Sequence, residues 1–275
     1  MPLKIYGPES TANFWAKALR RDSPLRKPDE FFLSMISKYL HRNGKTLDAG
    51  CGKGYMVTHL SSLGYDVIGL DFSKTLIKSA RSSALKNTQL QVGDLTHLPY
   101  KKNTFATCIS EGVFEHFEEG PQLPLSEVKR VLKSEGHLLI TVPYCNPLRK
   151  MKRIFLPHYH YLDQVDNKGF FEYAFTKKEM VNYVEEAGFK VIQVIPISPL
   201  ETLKLDIVGM AALINSLLRN FAKNEDTSAR KTTTAVNVKK VTWHTALLSI
   251  FEKIARSKIF RDIFAHMVLI IATRQ

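Results

Sequence analysis

The apolar positions change rhythm repeatedly along this chain, and the changes mark its elements. Phe32, Ile36, Tyr39 and Leu40 share one face of a helix behind Asp29 as a candidate cap. From Lys45 onward, short aliphatic and β-branched runs trade places with stretches whose apolar residues recur at helical spacing. "KTLDA" reads as a strand, and the helix after it runs to Leu63 with Tyr55, Met56, His59 and Leu60 on its apolar positions. Then come the strand "YDVIGLD", a helix from Ser73 to Leu85, the strands "TQLQVGD" and "TFATCIS", a helix near Leu125 to Leu132, and the strand "GHLLITVP". Repeated strand, helix, strand order predicts an α/β domain whose parallel sheet is covered on both faces.

The C-terminal part has a different character. "TKKEMVNYVEEAGFKVIQVIPI" opens with a capping-box pattern, Thr176 and Glu179, and passes through a helix and a glycine into a strand. "AHMVLIIATR" is a β-branched run that predicts the last strand. Between them, Leu203, Ile207, Met210, Ile214, Leu217 and Phe221 predict one amphipathic helix, and Trp243, Leu247, Ile250 and Ile254 a second. The polar stretch joining them lacks periodicity. The expected organisation is one domain over 1–275: a helical cap over 1–44, a core over 45–199, a helical insertion over 200–262 with a mobile linker at about 222–242, and a final strand over 263–275.

Composition narrows the setting. At 275 residues the chain is long enough for a full core. A net charge of +13 favours an anionic neighbour such as a phospholipid surface, an acidic metabolite or nucleic acid, unless it serves solubility alone. Nucleic acid is not expected, because neither interleaved basic and aromatic residues nor a zinc or helix-turn-helix signature occurs. Cys51, Cys108 and Cys145 have no metal or disulfide spacing and read as small apolar residues in a reducing compartment. "MPLKIYGPESTANFW" lacks the apolar stretch of a secretory signal, and no apolar run reaches the roughly 18 residues of a membrane span, so a cytoplasmic location is expected.

The chemistry concentrates in "KTLDAGCGKGYMVTHL". Gly50, Gly52 and Gly54 sit on a strand-to-helix turn, where positive φ and missing Cβ atoms let a ligand lie against the main chain. In an open parallel sheet, ligands bind at the carboxyl ends of the strands, and there the sequence places Asp48, Asp71 and Asp94. Asp71 is placed to accept from ribose hydroxyls and Asp94 from an adenine amino group. Asp48 beside the turn would repel a pyrophosphate, and Tyr55 stands where a dinucleotide fingerprint has its third glycine. A ligand carrying an ammonium and a sulfonium suits the position, which describes S-adenosylmethionine.

These segments resemble, in order, the motifs of class I S-adenosylmethionine-dependent methyltransferases, in their small-molecule, quinone and lipid branch. "LDAGCGKG" is similar to the first motif, "VIGLD" to the second strand end, "GDLTHLPY" to the adenine-side segment, and "SEGVFEHF" to the fourth-strand motif. "EVKRVLKSEGHLLITVPY" resembles the following helix and fifth strand, and "EEAGFKV" and "AHMVLIIATR" the last two strands. The resemblance implies a Rossmann-like, doubly wound seven-stranded sheet with the last strand antiparallel, and S-adenosylmethionine as cofactor with S-adenosylhomocysteine as product. It implies a donor site of Asp48, Gly50 and Gly52 near the methionine moiety, Asp71 on the ribose, Asp94 and Leu95 at the adenine, and Glu111 lining the pocket, with Cys51 and Phe72 also among the cofactor-binding residues. The chain departs from the family at Ala106, where an aspartate is usual.

The acceptor side is more open. Methyl transfer from a sulfonium needs alignment and a dry pocket, and a base only where the acceptor must lose a proton. His116 is the candidate base and Tyr144 a candidate orienting group, the alternatives being a capping or core histidine and an aromatic pocket wall. Arg149, Lys150 and Arg153, in the basic run "NPLRKMKRIF", are candidates for capturing an anionic acceptor, or else a solvated loop. His158 and His160 in "PHYHYLDQ" are further substrate candidates, and without a third and fourth ligand in the sequence no metal is assigned. "KIARSKIFR" sets basic residues beside Ile254, Ile259 and Phe260, as an interfacial helix would, which leaves peripheral membrane contact open. The reading is methyl transfer to a small-molecule or lipid-like acceptor, against a non-catalytic donor-binding module or an NAD-dependent oxidoreductase.

Overall fold

The computed structural model describes residues 2–7, 30–83, 88–155, 169–198 and 257–275. The helical insertion with its linker, His158 and His160 lie outside them but for the last residues of the expected insertion. Among the described residues a helix, α1 (Glu30–Ile36), precedes the first strand of the main sheet, and its Phe32 and Ile36 are buried. The core then runs β2 (Thr46–Ala49), α2 (Tyr55–Ser62), β3 (Val67–Asp71), α3 (Lys74–Ser83), β4 (Gln89–Val92) and β5 (Phe105–Glu111). It continues through a 3-10 turn (Phe114–His116), α4 (Gln122–Val131), β6 (Leu132–Pro143) and α5 (Pro147–Phe155). The chain closes with β7 (Gly169–Ala174), α6 (Lys177–Glu186), β8 (Phe189–Ile197), α7 (Lys258–Phe264) and β9 (Met267–Arg274).

Among the described residues, seven strands make one sheet in the order β4-β3-β2-β5-β6-β9-β8. β9 is antiparallel to both neighbours, and the pairs from β4 to β6 are parallel. The order follows from burial. β9 carries Val268, Leu269, Ile270, Ile271 and Ala272, all fully buried, so it must sit inside the sheet with both faces covered. Its side chains alternate between two cores: Val268, Ile270 and Ala272 join Leu138, Ile140 and Val142 of β6 on one face, whereas Leu269 and Ile271 join Leu139 on the other.

Two features differ from the expectation. The 1–44 segment is not helical throughout: its first residues form β1 (Leu3–Gly7), which pairs antiparallel with β7 in a separate small sheet. Neither strand has a local partner, so no hairpin signal marks them. The basic run after β6 is the helix α5 rather than a loop. By contrast, α6 starts with the expected capping box, Thr176 and Glu179 exchanging side-chain and backbone hydrogen bonds.

Candidate functional site

The sheet order turns at β2. From there the chain builds outward through β3 and β4, then returns to lay β5 against the other side of β2. That reversal opens a crevice at the carboxyl ends of β2 and β5, where open α/β sheets bind ligands. Asp48 near the end of β2 and Glu111 at the end of β5 flank it.

The glycine turn after β2 is shaped by its hydrogen bonds. Gly50 and Cys51 donate their N–H groups to the Leu70 carbonyl at 2.7 and 3.0 Å, and Gly54 donates to the Cys51 carbonyl at 2.8 Å. The Gly52 N–H donates to Asp71 Oδ2 at 2.9 Å, while Ser73 N–H donates to Asp71 Oδ1 at the same distance. These four amides of the turn are therefore committed within the fold and offer no cradle to a phosphate. Gly50 has φ +85°, and a Cβ there would stand 2.3 Å from Val113 Cγ2. Gly52 has φ +53°, and a Cβ there would meet nothing within 4 Å, so the turn is bare on that side.

The electrostatics are one-signed. Asp48 is 4% exposed, and its Oδ2 is buried with no hydrogen-bond partner among the described residues. Burial, reinforced by the Glu111 and Asp71 charges, lifts the Asp48 carboxyl well above the usual carboxylate range. Burial also raises Asp71, opposed by the two backbone hydrogen bonds it accepts. A crevice with an orphaned carboxylate, two acidic neighbours and a bare backbone fits a cationic ligand and rejects a pyrophosphate. S-adenosylmethionine, with its ammonium and sulfonium, meets that requirement. Cys51 is buried, its thiol pushed up by burial and by the Asp48 and Asp71 charges, so it acts as an apolar wall. Phe72, after β3, is 58% exposed. Asp94 is exposed and accepts the Thr96 N–H at 2.8 Å beside the buried Leu95. Ala106 lies at the opposite end of β5, its N–H bonded to the Lys45 carbonyl, so the departure there leaves the crevice untouched.

In the 3-10 turn after β5, His116 Nδ1–H donates to the Phe171 carbonyl of β7 at 2.8 Å, and burial lowers the pKa of the ring. Glu115 is buried, and burial with the Glu172 charge raises its carboxyl well above the usual range. Glu172 is pushed up to about 7 by burial, against the lowering effect of Arg149. Tyr144 is buried after β6, with Lys177 Nζ 5.5 Å from its ring centroid, and burial raises its phenol so that it stays a donor. Of the basic candidates, Lys150 is exposed, but Arg149 is buried at 7%. Its guanidinium donates to the Tyr144 carbonyl at 3.1 Å and meets His266 Nδ1 at 2.8 Å, while its N–H donates to Asn146 Oδ1. His266 is pulled down to about 3 by burial and by the Arg149 charge, so it accepts as a neutral ring. Arg153 lies on α5, and its side chain is outside the described residues. Sequence reasoning missed Glu172, Val113 and His266. The segment "GFFEYA" offered a strand signal for the first, whereas the other two acquire their roles only through contacts.

Comparison with known proteins bears on the family and the fold. The family described as "Methyltransferase domain" matches residues 47–140. The demethylmenaquinone methyltransferase of Corynebacterium kroppenstedtii is 35% identical over 97 residues, covering 35% of this chain and 40% of its own length. The malonyl acyl-carrier protein O-methyltransferase of Erwinia pyrifoliae is 32% identical over 97 residues, covering 35% of this chain and 36% of its own length. The chain thus spans less than half the length of either curated relative. In fold it is similar to an S-adenosylmethionine dependent methyltransferase from Mesorhizobium loti, with a TM-score of 0.54 at 16% identity, covering 89% of this chain and 96% of that one. The family match thus lies across the glycine turn and the crevice strands, where residues 47–140 are similar to a methyltransferase domain, and the likeness to the solved structure extends over the fold.

Proposed function

We propose that the protein transfers a methyl group from S-adenosylmethionine to a small-molecule or lipid-like acceptor that carries an anionic group. The observation that carries the donor half is the buried, unpartnered Asp48 carboxylate beside a glycine turn whose amides are already engaged. Asp48 and Glu111 attract the cationic end of the donor, the remaining lone pairs of Asp71 accept from its ribose hydroxyls, and Asp94 with Leu95 borders its adenine. The cofactor supplies an electrophilic methyl on a sulfonium. The chain supplies alignment for in-line displacement and walls that exclude water, among them Val113 and Tyr144. His116 is fixed in one tautomer: with Nδ1 donating to the Phe171 carbonyl, the lone pair of the neutral ring sits on Nε2. That nitrogen takes the proton if the acceptor is a hydroxyl or an acidic carbon.

Support for the acceptor class comes from charge and likeness. The chain carries +13 net charge, and exposed Lys150 lies on the helix that leaves the crevice edge. The relatives named above act, by their names, on an acyl-carrier-bound malonyl group and a demethylmenaquinone. Among the described residues no helix is long and apolar enough to cross a membrane. Incubation with methyl-labelled S-adenosylmethionine and an extract of the source cells, followed by partition, tests the reading. Label in the organic phase supports a lipid-like acceptor, and label in the aqueous phase a small soluble one. Donor binding with no transfer into any fraction counts against catalysis and for a donor-binding module.

A further inference from the structure

A second group of ligating side chains meets beside the donor crevice. The 3-10 turn after β5 carries Glu115 and His116, and β7 brings Glu172 to them from the small sheet. One ligand atom from each lies within 4.8 Å of the other two. Glu115 is 2% exposed, and its Oε2 has no hydrogen-bond partner among the described residues. A buried carboxylate oxygen left so, with a second carboxylate against it, is costly unless a proton or a cation neutralises the pair. His116 is held as ligating imidazoles are, with Nδ1–H donating to a backbone carbonyl.

We propose that Glu115, His116 and Glu172 form a binding site for one divalent transition cation of the Mn²⁺ or Zn²⁺ kind. The imidazole favours these over Ca²⁺ and Mg²⁺, which take oxygen ligands. The absence of a thiolate in the set, and three protein ligands rather than four, match an open site more than a closed structural one. The site adjoins the donor crevice: a Cβ on Gly112, the residue after Glu111, would stand 3.3 Å from Glu115 Oε1. If methyl transfer is the activity, an acceptor oxygen completes the coordination, and with the cation bound His116 is a ligand and the base role falls away, the cation instead lowering the pKa of the bound acceptor hydroxyl. That clause rests on the proposed function, and cation binding does not.

The test uses the full chain, stripped with EDTA and dialysed, titrated with MnCl₂ while the electron paramagnetic resonance of free aqueous Mn²⁺ is followed. The expected result is removal of one equivalent from the free pool, its return on adding ZnCl₂, and a higher melting temperature with metal. Glu172→Gln should weaken Mn²⁺ binding by at least about tenfold and abolish the thermal shift. Glu115→Gln should do the same, and should it fail to fold, Glu172→Gln carries the test because Glu172 is only partly buried. No binding at millimolar metal, or equal binding by the parent chain and Glu172→Gln, overturns the site and leaves a proton-sharing network. Because no methyl donor is present, either result leaves the methyl-transfer reading standing or falling on its own experiment.

Discussion

Asp71 gives the sharpest test of the donor site, because the structure gives its carboxylate a structural task as well. Each oxygen already accepts one backbone N–H at 2.9 Å, from Ser73 and from Gly52. A carboxylate oxygen has two lone-pair sites, so one on each side remains for a ribose hydroxyl. Asp71→Ala should therefore cost two things. Loss of the charge-assisted ribose bonds should weaken binding by about 1.5–3 kcal/mol, or about tenfold to about a hundredfold in Kd. Loss of the two loop anchors should lower stability by about 1–3 kcal/mol. Titration calorimetry with S-adenosylhomocysteine reads the first and urea denaturation the second. A 2′,3′-dideoxy analogue separates ribose recognition from loop disorder: the parent chain should prefer the ribose ligand, and Asp71→Ala should bind both alike. If the variant loses stability yet keeps its preference for the ribose form, Asp71 is a loop brace and the ribose assignment is wrong.

Four further substitutions follow from the same geometry. Asp48 has a raised folded pKa, so the folded chain keeps a proton that the unfolded chain has lost, and this group's contribution to stability falls as pH rises through that window. Asp48→Asn should stabilise the ligand-free chain near pH 7 by on the order of 1 kcal/mol. It should also weaken S-adenosylmethionine binding and flatten the rise of affinity with pH; a less stable variant with unchanged affinity would contradict this. Gly50→Ala combines a left-handed φ of +85° with a Cβ 2.3 Å from Val113 Cγ2, so a loss of about 2 kcal/mol or more is expected in thermal unfolding, and a neutral result would refute the packing argument. Arg149→Met should destabilise by about 1–3 kcal/mol by removing the guanidinium bonds to the Tyr144 carbonyl and to His266, whereas Lys150→Ala should leave stability unchanged. If the two behave alike in denaturation, the buried role of Arg149 is wrong.

Local pattern carried much of this protein. The strands, the glycine turn, the capping box at Thr176 and the carboxylates at three strand ends all depend on residues within a few positions of one another, where steric and hydrogen-bonding preferences act on neighbours. The cationic character of the ligand was legible for the same reason, since Asp48 lies two residues before Gly50. The resemblance supplied the sheet order, which no local rule contains.

Tertiary structure decided what depends on distant contacts. Arg149 reads as one member of a basic run, yet Tyr144 and His266 bind it in the interior, and a sequence cannot show which charge in a run turns inward. Glu172 sits on a strand that pairs with the distant Leu3–Gly7, and tertiary packing brings it to Glu115 and His116. Even the commitment of the turn's amides to Leu70 and Asp71 needed β3 to lie beside β2. The chain thus determined by itself which chemical groups stand at the strand ends. Which of them share a crevice, and which are buried without a counter-charge, was decided by strand order, because the field at one side chain is the sum of neighbours that the sequence keeps far apart.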